Sequence, residues 1–374
     1  MTESNSNVTR GWRFIADRPA AMVALLVGVL LFVDLLMKLV TTGDDVTIAL
    51  FLTFLWQGIV IGLVYGLAGI GLSMTYSILN FANFAHGDYI TSGAFGGWAA
   101  TFVVAGLGSH AFGDLVLVGA NRIAGTQIGI DIVATPLAIL VGLVFAGVLT
   151  VVLALVIDRI VYKPMRGQGG ISLLIASVGV AFALRNLLLF VFGEANLSVA
   201  NNTPGKLAVA VPGGTINANY HEIVLVVAAV ILMLIVHYLL QSTKLGKAMR
   251  AMSDNEDLAR VTGIPTERVV KFTWIIGAAL AGMAGFLLTL ESTTLVYTRG
   301  WTLLLFIFAA VILGGIGSTY GAIFGGLIIG LTEKMSLIWL GAELSDLSRA
   351  AAFVLMILIL LYRPQGLFSG RSTA

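Results

Sequence analysis

Few residues in this chain are equipped for chemistry, and the densest group of them is one short segment. Leu79-Asn80-Phe81-Ala82-Asn83-Phe84-Ala85-His86-Gly87-Asp88-Tyr89 sets two amides, an imidazole and a carboxylate between two apolar runs. As a tight turn outside a bilayer, such a segment needs no function. As a break at membrane depth, it must be buried in protein or line a water-filled cavity, where polar groups are costly and usually functional. Asn80, Asn83 and His86 follow at i, i+3 and i+6, a spacing that loosely shares one helix face, and they are the candidate path-lining residues. A metal role for His86 is set aside, because the chain has 4 His and none clusters with another.

Other chemistry is sparse. Arg185, with Asn186, interrupts an apolar run, and a charge at mid-helix costs roughly 3 kcal/mol on insertion scales, so it requires a partner or a cavity. Glu291 and Glu333 fall at the ends of apolar runs and read as interfacial. A proton relay asks for several mid-membrane carboxylates, and no such set is seen. There is no GxxxxGK[ST] phosphate loop: Gly246-Lys247-Ala248 lacks both the leading glycine and the hydroxyl residue. No Ser/His/Asp set with a nucleophile elbow is present. With 0 Cys there is no disulfide, thiolate metal site or Cys nucleophile. The chain therefore reads as a non-enzyme, and any ATP that drives it is hydrolysed elsewhere.

The elements that position these residues follow from composition. Of 374 residues 58% are hydrophobic and 11% charged, and mean hydropathy is +1.00. Soluble domains carry about 25% charged residues, so a soluble enzyme, a disordered chain and a nucleic-acid binder are excluded. The 44 Gly and 7 Pro suit packed transmembrane helices. A membrane helix needs about 20 apolar residues. The stretches that qualify, or come close, are Ala20–Val40, Ile48–Leu79, Tyr89–Leu107, Ile132–Ile157, Ile171–Phe192, Ile223–Leu240, Phe272–Leu290, the short pair Leu303–Ile316 and Ala322–Leu331, and Ala350–Leu361. No alternating strand pattern of an outer-membrane barrel is present. The expectation is an all-α polytopic membrane protein of about ten segments (8–10). Ala20–Val40 is too long for a signal-peptide core and is read as a retained helix. Asp34 and Lys38 inside it stand one turn apart, to pair or to let Lys38 snorkel.

Charge placement gives orientation. Arg10, Arg13 and Arg18 precede the first helix. Arg159, Lys163 and Arg166 follow Ile157, and Lys244, Lys247, Arg250, Arg260, Arg268 and Lys271 follow Leu240. With Arg363 and Arg371 these make fourteen of the 21 basic residues. Arg122, Lys206, Arg299, Lys334 and Arg349 fall on the other side. Both termini are thus expected in the cytoplasm. The chain divides into an N-terminal arm (1–19), a transmembrane domain (20–362) and a tail (363–374), with a cytoplasmic loop at 241–271 and external loops at 108–131 and 193–222. The cytoplasmic loop reads as a helix, the break Gly263-Ile264-Pro265, and a new helix start at Thr266-Glu267; docking element and solvated connector stand level for it. Gly58, Gly62 and Gly66 form two GxxxG steps, and Gly317, Gly321 and Gly325 repeat the pattern. Such faces admit close helix packing, and close small-residue contacts would also let helices rock past one another.

These motifs resemble those of the branched-chain amino acid ABC transporter permeases, LivH type. Gly62-Leu63-Val64-Tyr65-Gly66-Leu67-Ala68 runs into Asn83-Phe84-Ala85-His86-Gly87. Leu245-Gly246-Lys247-Ala248-Met249-Arg250-Ala251 leads through Asp254-Asn255 and Ala259 to Gly263-Ile264. Gly277-Ala278-Ala279-Leu280-Ala281-Gly282 follows, then Val311-Ile312-Leu313-Gly314-Gly315-Ile316-Gly317-Ser318 with Gly321-Ala322, and last Arg363-Pro364-Gln365-Gly366-Leu367-Phe368. The resemblance covers about residues 50–370, and the H-type assignment rests on Asn83-Phe84-Ala85-His86-Gly87. The N-terminal helix and both external loops are longer than the family pattern leads one to expect.

The resemblance implies a permease subunit of an ATP-driven importer in the plasma membrane, carrying branched-chain or other hydrophobic amino acids. It implies ABC ATPase subunits docked on the 241–271 loop, with Gly246, Arg250, Asp254, Asn255, Ala259 and Gly263 in the coupling role. It also implies a second, LivM-like permease and an extracytoplasmic substrate-binding protein. No cofactor is expected on this chain, since the ATP is used by partner subunits. The same machine carrying urea or short amides is the near alternative; a stand-alone secondary transporter or channel is the alternative of another class.

Overall fold

Where no water reaches the backbone, long apolar runs satisfy their own N–H and C=O groups as helices, and each of the ten stretches is a helix. The structure, a computed structural model, describes residues 19–40, 46–116, 123, 125–194, 196–199 and 205–368. Residues 1–18 of the N-terminal arm with Arg10, Arg13 and Arg18, together with Arg122, residues 201–204 and Arg371, lie outside the described residues.

In chain order the main helices are α1 (Pro19–Val40), α2 (Ile48–Leu79), α3 (His86–Gly106), α4 (Pro136–Ile157), α5 (Gly170–Phe192), α6 (Tyr220–Ser242), α7 (Lys244–Asp254), α8 (Glu256–Val261), α9 (Thr266–Ser292), α10 (Arg299–Gly314), α11 (Thr319–Met335) and α12 (Leu347–Tyr362). Among the described residues, strands are confined to two antiparallel pairs. β1 (Leu197–Ser198) pairs with β4 (Thr294–Leu295), and β2 (Lys206–Val211) forms a hairpin with β3 (Gly214–Asn219) in the 193–222 loop. Among the described residues, 6 helices are long and apolar enough to cross a bilayer: Ile48–Leu79, Pro136–Gln168, Gly170–Phe192, Tyr220–Ser242, Thr266–Ser292 and Thr319–Leu340. α10 and α12 are apolar but only 16 residues each.

Caps set the helix limits. Thr47 Oγ1 accepts from Leu50 N at 3.2 Å at the start of α2, and Asn80, in the left-handed region at φ 54, stops it. Asn219 and Glu222 form a capping box on α6. Asp34 and Lys38 do pair, at 3.1 Å, and Asp34 also accepts from Trp339 Nε1 at 2.8 Å.

α9 is the central helix. Its Gly282 lies so close to Gly93 of α3 that a Cβ on Gly93 would sit 2.2 Å from Gly282 Cα. The Gly58/Gly62/Gly66 face packs on α11, where a Cβ on Gly58 or Gly62 would stand 2.9 Å from Leu331 or Leu327 Cα. The second glycine series is arranged differently from the expectation. The α11 face that meets α2 carries Gly326 and Gly330, while Gly321 and Gly325 face Gly314 and Ala310 of α10. Gly317 is not in a helix; it belongs to the α10–α11 turn with φ +86. GxxxG spacing marks a small-residue face but does not say which neighbour fills it.

Candidate functional site

The polar segment between α2 and α3 is neither a tight turn nor an open break. α3 does not start level with the end of α2: His86 Nε2 lies 2.9 Å from Ala68 O. Ala68 is eleven residues before Leu79, about 16 Å back along the helix at 1.5 Å per residue. The chain from Asn80 to Ala85 therefore runs back beside α2 into the protein before α3 begins.

The three candidate residues are placed differently along this return. Asn80 is exposed and caps α2. Asn83 is buried; its Oδ1 accepts from Ala85 N at 3.1 Å and from Tyr162 O–H at 3.3 Å, while its Nδ2 has no partner. His86 is buried against Ala68 and Gly71 of α2. Around Asn83 the rings of Phe81, Tyr162, Trp274 and Tyr89 form a continuous series, with Tyr162 and Trp274 stacked at 5.2 Å. Polar groups at this depth are thus packed in protein, as an irregular backbone at membrane depth demands.

Arg185 has the partner its position requires. Its Nε and Nη2 donate to the two carboxylate oxygens of Asp88 at 3.2 and 3.0 Å, and its guanidinium lies 4.6 Å from the Trp301 ring centroid. The Asp88 side chain is 0% exposed. This cluster joins α3, α5 and α10. The sequence shows a charge needing a partner; that Asp88 supplies it, 97 residues away, depends on the tertiary fold.

The 241–271 loop is a two-helix device. Thr243 caps α7 by accepting from Gly246 N at 3.1 Å. Arg250 Nη1 donates to Leu240 O at 2.8 Å, closing the end of α6. Gly246 lies so near α6 that a Cβ would come within 2.0 Å of Leu240 O. A break at Asn255, not foreseen from sequence, separates α7 from α8, and the Asn255 side chain caps α8 by accepting from Leu258 N at 2.9 Å. Ala259 is buried, and Gly263, at φ +86, turns the chain toward α9. Gly246, Arg250, Ala259 and Gly263 therefore shape the loop, whereas Asp254 and Asn255 lie on its surface. Beside them Leu258 and Val261 are 61% and 85% exposed, apolar side chains that sequence inspection did not single out. The loop is anchored where it enters α9. Glu267 takes Lys163 at 2.9 Å and Arg166 at 2.8 Å, and Arg166 also holds Asp158 at 2.7 Å, so the exit of the loop is tied to the end of α4.

At the same end of the molecule two further motifs interlock. Leu367 N and Phe368 N donate to Leu313 O and Gly314 O at 2.8 and 3.0 Å, so the Arg363–Phe368 tail closes the glycine-rich end of α10. Among the described residues no group of three or more His, Asp and Glu is placed to hold a metal.

Comparison with known proteins bears on the whole arrangement. The family described as branched-chain amino acid transport system / permease component matches residues 54–360. The high-affinity branched-chain amino acid transport system permease protein LivH of Escherichia coli (strain K12) is 29% identical over 318 residues, 85% of this chain and 95% of that protein. BraD of Pseudomonas aeruginosa, described in the same words, is 28% identical over the same shares. A probable branched-chain amino acid transport permease protein, LivM of Methanocaldococcus jannaschii, is 30% identical over 264 residues, 67% of this chain and 71% of its own length. The shared stretch is thus longer with LivH and BraD than with LivM. No solved structure matches the chain. The matched region takes in the returning segment, the two-helix loop and the glycine-rich end of α10, and by that match the chain belongs to the branched-chain amino acid transport permease family.

Proposed function

We propose that this chain is the LivH-type permease subunit of an ATP-driven ABC importer for branched-chain or other hydrophobic amino acids in the plasma membrane. Separate ATPase subunits dock on residues 241–271, a LivM-like second permease completes the translocation unit, and an external binding protein delivers substrate. The chain binds no cofactor of its own; ATP is used by the ATPase partners.

The observation that carries this reading is the build of the loop. Residues 244–261 form two short helices that expose Leu258 and Val261 one turn apart, an apolar patch suited to a protein contact. The absence of a phosphate loop from the sequence agrees with hydrolysis in another chain. In this mechanism Gly246, Arg250, Ala259 and Gly263 fix the shape of the docked element, Asp254 and Asn255 meet the ATPase, and the Glu267–Arg166–Asp158 contacts pass its movement to α4 and α9. Import then requires that ATP and delivered substrate favour different states of one bistable assembly. The returning segment with Asn80, Asn83 and His86 stands beside the path, holding the start of α3.

The test is uptake by proteoliposomes containing both permeases and the ATPases, with binding protein outside. Labelled leucine should accumulate only with ATP inside, isoleucine and valine should compete, and urea should not. Leucine transport by this chain alone would overturn the reading in favour of a stand-alone transporter.

A further inference from the structure

A funnel of about 430 Å³ opens between α2, α9, α10, α11 and α12, at the ends of these helices opposite the cytoplasmic loop. That volume falls in the range of roughly 300–1,000 Å³ typical of small-molecule sites. Its walls include Leu288, Leu303 and Phe306, and its charged groups are Glu291, Glu333, Arg299, Lys334 and Arg349.

Four of these charges oppose the helix dipoles. Arg299 opens α10 and Arg349 lies in the first turn of α12, ends that favour anions; Glu291 and Glu333 lie in the last turns of α9 and α11, ends that favour cations. Helix stability does not explain the set. Nor are they joined in direct ion pairs: among the described residues none within 4.0 Å includes any of the five. Glu333 is 7% exposed and accepts from Tyr65 O–H at 2.7 Å. Arg299 donates to the hydroxyls of Ser292 and of Thr294, the latter at 2.9 Å. The arginines at the helix N-termini that line the funnel suit a carboxylate, the two glutamates suit an ammonium group, and the apolar wall suits a hydrocarbon side chain.

We propose that this funnel is the external reception site for the zwitterion of an apolar α-amino acid, and that uncharged amides and urea are not held there. The proposal rests on the amino-acid reading above and adds the site and the charged form recognised.

The chain has no cysteine, so Thr302→Cys, on the funnel wall, gives a single probe. In vesicles carrying both permeases and the ATPases, an impermeant maleimide added outside should label this chain. Millimolar leucine should slow labelling at least threefold, while urea and 4-methylpentanamide leave it unchanged. Glu333→Gln or Arg349→Gln should abolish protection with ATPase copurification and maleimide reactivity retained, and Arg349→Lys should preserve it. Unchanged labelling in a transporter that still imports leucine overturns the funnel alone, and equal protection by urea overturns the zwitterion assignment. Failure of the complete unmodified transporter to import leucine would instead overturn the substrate reading.

Discussion

Arg185 shows how a single side chain can be costly and structural at once. Its guanidinium lies between a fully buried carboxylate and the ring of Trp301, so removing it leaves Asp88 without its counter-charge. Breaking one side of a buried ion pair costs about 3–5 kcal/mol, whereas replacing both partners by neutral groups is far milder. Arg185→Met should therefore lower the thermal stability of the detergent-purified protein strongly, and Asp88→Asn with Arg185→Met should recover most of the loss. Equal melting temperatures for the single variant and the parent would show that the pair does not hold α5 to α3 and α10. Asn83 illustrates what residue type alone cannot reveal. Its place in a polar run was visible, but the hydrogen bond it accepts from Tyr162, whose ring stacks on Trp274, comes from elements far along the chain.

At the scale of elements, the helices were legible because apolar run length and glycine spacing are local properties. Their pairing was not. Gly58, Gly62 and Gly66 announce a close-packed face, yet the face that fills it carries Gly326 and Gly330, while Gly321 and Gly325 serve α10. The 241–271 loop is similar. Gly263-Ile264-Pro265 is a readable stop, but the break at Asn255 depends on a side chain turning to cap the next helix. That break orients α8 with Ala259 inward and Leu258 and Val261 outward. Paired substitution Leu258→Glu and Val261→Glu should leave membrane insertion and melting temperature unchanged, because both side chains are exposed. It should cut ATPase copurification and ATP-driven leucine uptake at least tenfold, a change of about 1.4 kcal/mol in docking. Undiminished copurification would move the contact elsewhere.

For the whole molecule, orientation is the property on which every partner assignment depends. The loop with α7 and α8 and the β2–β3 hairpin lie at opposite ends of α6, which runs from Tyr220 to Ser242. With the native chain free of cysteine, Asp254→Cys should react with an impermeant maleimide only from the cytoplasmic side, and Val209→Cys, on the exposed hairpin, only from outside. The reverse pattern would invert the molecule. The positive-inside bias is what predicts this orientation; the return of the chain beside α2 was not legible, because nothing local distinguishes a turn from a segment that runs back along the helix. The tail contact carries a consequence for biosynthesis. The carbonyls of Leu313 and Gly314 are met by the amides of Leu367 and Phe368, which leave the ribosome more than fifty residues later. The α10–α11 hairpin is thus made and handed to the insertion machinery with its cap still unsynthesised, and its final shape waits on translation of α12 and the segment beyond it.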